Sequence, residues 1–400
     1  MFLAFNLNAG AQPPYLGTAN QNQESQRPTT PEEKVETKAH LEWMRLGPFA
    51  LIPRITGMAL YDDNITIQSA SKLADVIWVI SPGLTAIAGD TRGGTGRILT
   101  IDYSPSFVVF TEHHEFDSID HAAKLNGIWP FSRLILGAGQ TFDSNSGGVV
   151  DVGNRIKRTI YVTTLTSRYE IDEKASFEIN LRQNIQEFPP EYNSSQEWLN
   201  DNWFNYQLSS KVMTGLGITL GYLDPERSAA QTYEQLLVRA TYKVTFKVDL
   251  NASGGGELRQ YGAGGGSRFG PIFSVGGSYL PWEGLSFGVE GHRRNQNSAY
   301  LVGQNYISTG FTLSARQRIG YRFFASLSGT YDNAAYESAE SNVTATRNDQ
   351  YYLVRAELDA NLTERWTAGL FYQHRTNRSE GAGALPFSNN QFGLQTSYSF

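Results

Sequence analysis

Long runs of strict two-residue alternation constrain this chain more than any other feature, and no sustained apolar stripe of helical period interrupts them. In the segment from Phe177 to Gln186, Phe177, Ile179, Leu181 and Ile185 share one face, while Glu178, Asn180, Arg182, Asn184 and Gln186 share the other. Tyr352 to Leu362 and Leu285 to Gln296 repeat the pattern. Strands of a soluble sandwich average nearer 5–6 residues. These run longer, matching the roughly 9–11 residues a tilted strand needs to cross a membrane. The connections between them alternate in phase. Short ones fall near Gly89 to Gly94, Ile128 to Phe131, Ile171 to Lys174, Met213 to Gly215, Val244 to Lys247, Pro281 to Gly284, Ile319 to Tyr321 and Thr363 to Arg365. Long polar ones include Asp62 to Lys72, Ser144 to Asn154, Pro189 to Leu199, Gly254 to Ser267, Asn333 to Asn348 and Asn377 to Asn389. Greek-key crossovers would break that phase. It predicts an all-β, transmembrane up-and-down antiparallel barrel of about 18 strands, with short periplasmic turns and long external loops.

Composition closes off the other classes. With no Cys, disulfide frameworks, thiolate metal sites and cysteine nucleophiles are excluded. Apolar runs such as Val76 to Ile80 fall far below the roughly 18 residues of a spanning helix. The 39 Gly, 21 Tyr and 22 Phe beside 18% charged residues suit a barrel whose apolar positions are diluted by alternation. A net charge of −6 gives no support to nucleic-acid binding.

The predicted organisation has three parts. Residues 1–11, ending on Ala9-Gly10-Ala11, fit the remnant of a signal peptide without its basic region. Residues 12–46, rich in Gln, Pro and Glu, read as a disordered or partly helical periplasmic segment, with a short helix from Glu32 to Met44. Residues 47–400 form the barrel. The segment before it is too short for the folded plug of a gated transporter.

The final strand carries a specific signal. Phe392, Leu394, Thr396, Tyr398 and Phe400 lie on one face, ending on the terminal aromatic. This resembles the terminal-strand signature of bacterial outer-membrane proteins, which the barrel-assembly machinery reads; Phe392, Leu394, Tyr398 and Phe400 match it, and Thr396 departs from it. Trp129, Trp282, Tyr321 and Trp366 sit at or beside short turns, where an interfacial girdle belongs. Pro82 and Pro105 lie inside strands, predicting bulges or register shifts there.

Ile52-Pro53, Tyr61-Asp62-Asp63-Asn64, Asp75 and Ile80-Ser81-Pro82-Gly83-Leu84 together look like the opening hairpin of the β-barrel porins often encoded beside exopolysaccharide gene clusters. The match covers the first two strands by motif and the rest by architecture. It implies an outer-membrane channel in a Gram-negative bacterium, with periplasmic polysaccharide-export components as partners alongside lipid and lipopolysaccharide. It carries over no catalytic residues and implies no cofactor.

Enzymatic chemistry finds no foothold. Ser286 and His292 are the nearest to a nucleophile–base pair, but six strand residues put them about 20 Å apart at ~3.3 Å each. His113-His114, flanked by Glu112 and Glu115, point to opposite faces of a strand and cannot easily share one metal ion. The glycines of Ser253 to Gly256 and Gly262 to Gly266 lack the Lys-Ser/Thr that closes a phosphate loop, so they read as flexible external loop. The lumen is the chemically specific region. Phase places Asp102, Glu178, Arg182, Arg239, Lys243, Glu290, His292, Arg294, Arg316, Arg322, Arg355, Glu357, Asp359 and Arg375 inward. An arc of Arg294, Arg316, Arg322, Arg355 and Arg375 either braces the wall against Glu290, Glu357 and Asp359 or biases the pore toward anions. The expected function is passage of hydrophilic solutes, including export of exopolysaccharide; the alternative is a non-conducting anchor or surface receptor. Gly254 to Ser267 and Asn333 to Asn348 are the loops expected to constrict the lumen.

Overall fold

The computed structural model describes residues 44–89, 96–262 and 264–400. The expected signal remnant, most of the polar segment and its helix, and the turn after Gly89 lie outside the described residues. Arg45–Leu46 form a two-residue stub that folds back on Phe49 and Ala50. Among the described residues, eighteen further strands follow: β1 Phe49–Asp62, β2 Asp75–Gly89, β3 Ile98–Phe110, β4 Ser118–Pro130, β5 Leu134–Val149, β6 Asn154–Glu170, β7 Ala175–Glu187, β8 Ser195–Gln207, β9 Val212–Pro225, β10 Gln231–Thr245, β11 Val248–Tyr261, β12 Gly266–Tyr279, β13 Leu285–Asn297, β14 Gln304–Ile319, β15 Phe323–Ser338, β16 Asn348–Asn361, β17 Trp366–Glu380 and β18 Phe387–Ser399. Each pairs antiparallel with the next, and β18 pairs with β1 from Gln391 opposite Asp62 to Ser399 opposite Arg54. The sheet closes on itself and leaves no edge.

Burial is inverted relative to a water-soluble protein. On β9, Leu216, Ile218 and Leu220 are each 50–53% exposed, while Thr219 between them is 2% exposed. The same alternation brings Leu236 and Val238, Phe311 and Leu313, and Phe392 and Leu394 to the outside. Arg54, Glu257, Arg259 and Glu357 are buried on the inside. An apolar belt running round the whole barrel far exceeds the few hundred Å² that a soluble monomer exposes. Trp282, Tyr321 and Trp366 are exposed at the end bearing the termini and shorter turns, the near end. The Trp129 ring lies over Gly127 at that same end.

Several expected boundaries move. The strands run 13 to 17 residues and continue past the belt at the far end. Most of what reads as long loop at Ser144 to Asn154, Gly254 to Ser267 and Asn377 to Asn389, and the ends of Asn333 to Asn348, are therefore strand, joined by shorter connections. Gly and Asn lower strand propensity, but ladder hydrogen bonds to both neighbours override it. The run Ser253-Gly254-Gly255-Gly256 lies in β11 rather than in a flexible loop. At Gly255 an added Cβ would fall 1.8 Å from the Leu236 carbonyl oxygen, so only glycine permits the close approach of those backbones. Met213 to Gly215 belong to β9, and the turn precedes them. Pro82 and Pro105 interrupt the β2–β3 ladder between Ile80–Phe107 and Leu84–Tyr103, yet the register is the same on both sides. The Ser81 and Ser106 hydroxyls, 2.7 Å apart, bridge the gap, which explains why no bulge is needed.

Candidate functional site: a constricted lumen

The β5–β6 hairpin leaves the wall. Pairing of β5 with β4 stops at Ser144 opposite His121, and pairing of β6 with β7 stops at Thr159 opposite Glu187. Pairing between β5 and β6 continues to Val149 opposite Asn154. Residues from Asn145 to Arg158 thus form a two-stranded arm outside the ladder of either neighbouring strand, with the Ser146 amide still donating to Asp120 on β4 (3.1 Å), and it folds across the lumen. At its tip Gly153 adopts φ +63°, which lets the chain reverse tightly. Asp151 accepts hydrogen bonds from Ser298 Oγ (3.0 Å), the Ala299 and Tyr300 amides (2.6 and 3.3 Å) and the Tyr336 hydroxyl (2.6 Å). The Asp151 carbonyl accepts from Arg347 Nη1 at 2.9 Å. These partners stand on or beside β13 to β16, about half a circuit of the ring from β5 and β6. Val152 and Ile156 pack with Ala299 under the tip.

Arg347 anchors the receiving side. It is 1% exposed, donates Nε and Nη2 to Asp349 (2.9 and 2.6 Å), and stacks over Tyr336 at 4.7 Å. Burial opposes its charge, but the hydrogen bonds to Asp349 and the charges around it outweigh that and hold its pKa above the ordinary value.

A second element narrows the lumen from the β1–β2 side. Asn64 is fully buried; its Nδ2 donates to the Gln68 and Ser388 carbonyls, and its own amide donates to Asp62. Asn389 donates to Asp62 and Asp63, and Gln391 to Asp62. The Asp62-Asp63-Asn64 run therefore ties the 63–74 connection to β18. That tie turns Ile65 and Ile67 inward, each 1% exposed. Ile65 packs on the inward apolar side chains of β1 to β3, and Ile67 packs on Tyr351 and Phe387. Ile67 sits at φ 50°, a conformation costing a β-branched residue on the order of 1–3 kcal/mol. Its packing on both sides holds it there.

Between arm and wall lies a cavity of about 640 Å³, lined among others by Arg158, Arg182, Arg294, Asp332, Asp349 and Tyr306. Of the residues expected inward, Arg182 and Arg294 reach this cavity. Arg239 donates to Glu178 (2.5 Å) and Asn205 (2.9 Å) and lies over Trp203. Arg355 donates to Glu357 (3.0 Å) over the Phe371 ring. Arg375 donates to Asn389 (2.7 Å), and Arg316 covers Phe324. Glu290 stands inward on β13, two residues from His292, and Asp359 faces in opposite Gly369. Arg322 does not join the arc: it lies in the turn between β14 and β15 and donates to the Leu362 carbonyl. A turn at that point ends the inward–outward phase on which its assignment rested. His113 Nδ1 lies 3.0 Å from Asp75, and His114 Nδ1 lies 3.3 Å from Asp117, so the two rings diverge.

Sequence phase missed Asp151, Arg347 and Ile67. A signal was present in Val149-Val150-Asp151-Val152-Gly153, because an apolar hairpin tip on a water-exposed loop has no reason to be apolar unless it is buried.

No family model and no curated protein matches this chain. Similar solved structures include Pseudomonas aeruginosa OpdQ, at 12% identity over 89% of this chain and 98% of that one, with a TM-score of 0.47. Acinetobacter baumannii OccAB4 has 10% identity over 88% and 98%, TM-score 0.47. Pseudomonas aeruginosa OccK2 (OpdF) has 12% identity over 88% and 98%, TM-score 0.46. Likeness at that level adds nothing to the barrel described above.

Proposed function

We propose that the protein is an outer-membrane channel for small hydrophilic solutes in a Gram-negative bacterium. The carrying observation is the polar, inward-charged lumen narrowed by an arm that leaves a cavity of about 640 Å³, a size suited to a small solute. The apolar belt supports a wall set in hydrocarbon; on this reading the near end faces the periplasm and lipopolysaccharide lies against the far end. Phe392, Leu394, Tyr398 and Phe400 face outward on the closing strand and are available to the assembly machinery. Export of exopolysaccharide is a poorer fit, since the docked arm and the inward 63–74 connection obstruct a continuous polymer path. Planar-bilayer recording on the refolded barrel is the test: stable open steps are expected. Silence from a correctly folded, heat-modifiable protein would favour the non-conducting anchor or receptor and overturn the channel.

A further inference from the structure

We propose that Lys72 and Arg378 form a phosphate-binding cleft on the outer wall, and that its ligand is the phosphorylated sugar headgroup of a lipopolysaccharide molecule beside the far end. Naming that lipid rests on the outer-membrane reading above, whereas the phosphate chemistry of the cleft does not.

The outward face of β16 and β17 changes in order toward the far end. Leu358 and Leu370 are paired and exposed on the belt, and Val354 and Tyr372 follow them. Next comes Tyr352, whose ring centroid lies 5.1 Å from that of Tyr331 on β15. Beyond it stands Arg378, exposed, with its guanidinium 5.6 Å from the centre of the Tyr352 ring. Aliphatic, then aromatic, then basic is the sequence of hydrocarbon, interface and headgroup. Arg378 therefore sits where the headgroups of lipids packed on this wall begin.

Arg378 lines a cleft of about 450 Å³ together with Ser69, Lys72, Thr376, Glu380 and Ser388. Lys72 arrives from the 63–74 connection, directly after Ser71, which takes the left-handed φ of 54°. Its Nζ donates to the Ser388 carbonyl at 2.9 Å, which holds the ammonium against β18. That carbonyl is neutral, and an ammonium has two more N–H donors to offer. Among the described residues, the Arg378 guanidinium has no hydrogen-bond or ion-pair partner. Arg293, the outward arginine of β13, differs: its Nε donates to the Pro271 carbonyl (3.1 Å) and its Nη1 to Thr309 (2.9 Å).

Two cations from separate elements thus face one cleft. A phosphate has three strong acceptor oxygens in a tetrahedral array and can accept from both. A planar carboxylate matches the guanidinium alone and leaves the ammonium aside. Glu380 sets the limit on charge, because two cations against one carboxylate leave a net +1, suited to a single phosphate group. The cleft is also larger than a lone phosphate fills, and the Ser69 and Ser388 residues that line it carry hydroxyls a sugar ring can bond. Acyl chains attached to that sugar would run down the aromatic and aliphatic face below Arg378.

Native mass spectrometry of the detergent-folded full chain tests this, with bisphosphorylated lipid A, dephosphorylated lipid A, phosphatidylglycerol and inorganic phosphate as probes. Wild type should retain one bisphosphorylated lipid A in preference to the other three. Lys72→Gln combined with Arg378→Gln should weaken it about tenfold, the loss of two partly exposed charge-assisted contacts. Glu380→Gln removes the one repelling charge and should tighten it; weakening there overturns direct phosphate contact. Heat-modifiable migration reads the folding of each variant. Equal retention of dephosphorylated lipid A, or unchanged binding in the double variant, overturns the site. Equal retention of phosphatidylglycerol, or of inorganic phosphate, overturns lipopolysaccharide as the ligand. A phosphate-dependent lipid A site on a barrel that never conducts upholds the inference and removes the channel instead.

Discussion

Asp151→Ala should produce larger and more variable conductance steps than wild type, and should admit larger neutral polymers. The Asp151 carboxylate gathers hydrogen bonds from Ser298, Ala299, Tyr300 and Tyr336, all on the side of the lumen opposite its own hairpin. Laterally the backbone ladder has left β4 and β7 behind, and what reaches back is the Ser146 amide to Asp120 on β4 (3.1 Å) and Arg155 over the Phe110 ring (4.8 Å). Hydrogen bonds to a charged group contribute about 1.5–3 kcal/mol each, and removing the shared acceptor also leaves the Ala299 amide and Tyr336 hydroxyl unsatisfied. The loss is large against the few kcal/mol that separate docked and undocked states of a hairpin without a wall on either side. Asp151→Asn, which retains one oxygen acceptor, should fall between the two. The measurements are single-channel conductance and exclusion of polyethylene glycols of graded size. A folded Asp151→Ala barrel with unchanged conductance and unchanged exclusion would show that the arm stays docked without the carboxylate, through the Arg347 bond to the backbone carbonyl at 151 and the apolar packing of Val150, Val152 and Ile156.

The barrel was legible in the sequence because its determinant is local. Period-2 alternation at Phe177 to Gln186 and Tyr352 to Leu362 states both the strand and the face, and the alternation of connection lengths states the topology. The constriction is different in kind. Asp151 meets Ser298, Tyr336 and Arg347 through three-dimensional closure, and no local periodicity pairs position 151 with positions 298, 336 and 347. Loop boundaries failed for a related reason: Gly254 to Gly256 and Asn377 have turn-like propensity, while the neighbouring strands that impose the ladder are distant in sequence. Arg322 illustrates the limit of phase, which holds only while the strand continues. The apolar tip from Val149 to Gly153 and the Ile65-Thr66-Ile67 run were the readable exceptions, since apolar residues within otherwise polar connections need something to bury them.

Substitutions at two adjacent positions on β14 separate the two faces of the wall by the largest margin expected of any single pair. Leu313 is 54% exposed near the middle of its strand, on the belt. Thr312 faces the lumen, where its hydroxyl lies 3.0 Å from that of Thr330 and its backbone stands opposite Glu290 on β13. Arginine at a lipid-facing midplane position destabilises a barrel by about 2–4 kcal/mol, because the guanidinium must be drawn to the interface or solvated by a defect in the bilayer. The same residue at position 312 enters water and finds Glu290 on the neighbouring strand, so its effect should stay within about 1 kcal/mol of zero. Denaturant titration of Leu313→Arg and Thr312→Arg in lipid vesicles reads the difference directly. Equal losses at the two positions would mean that the exposed face does not meet hydrocarbon. A greater loss at 312 would mean that the charged interior is too tightly packed to admit water, which would also remove the physical basis for solute passage.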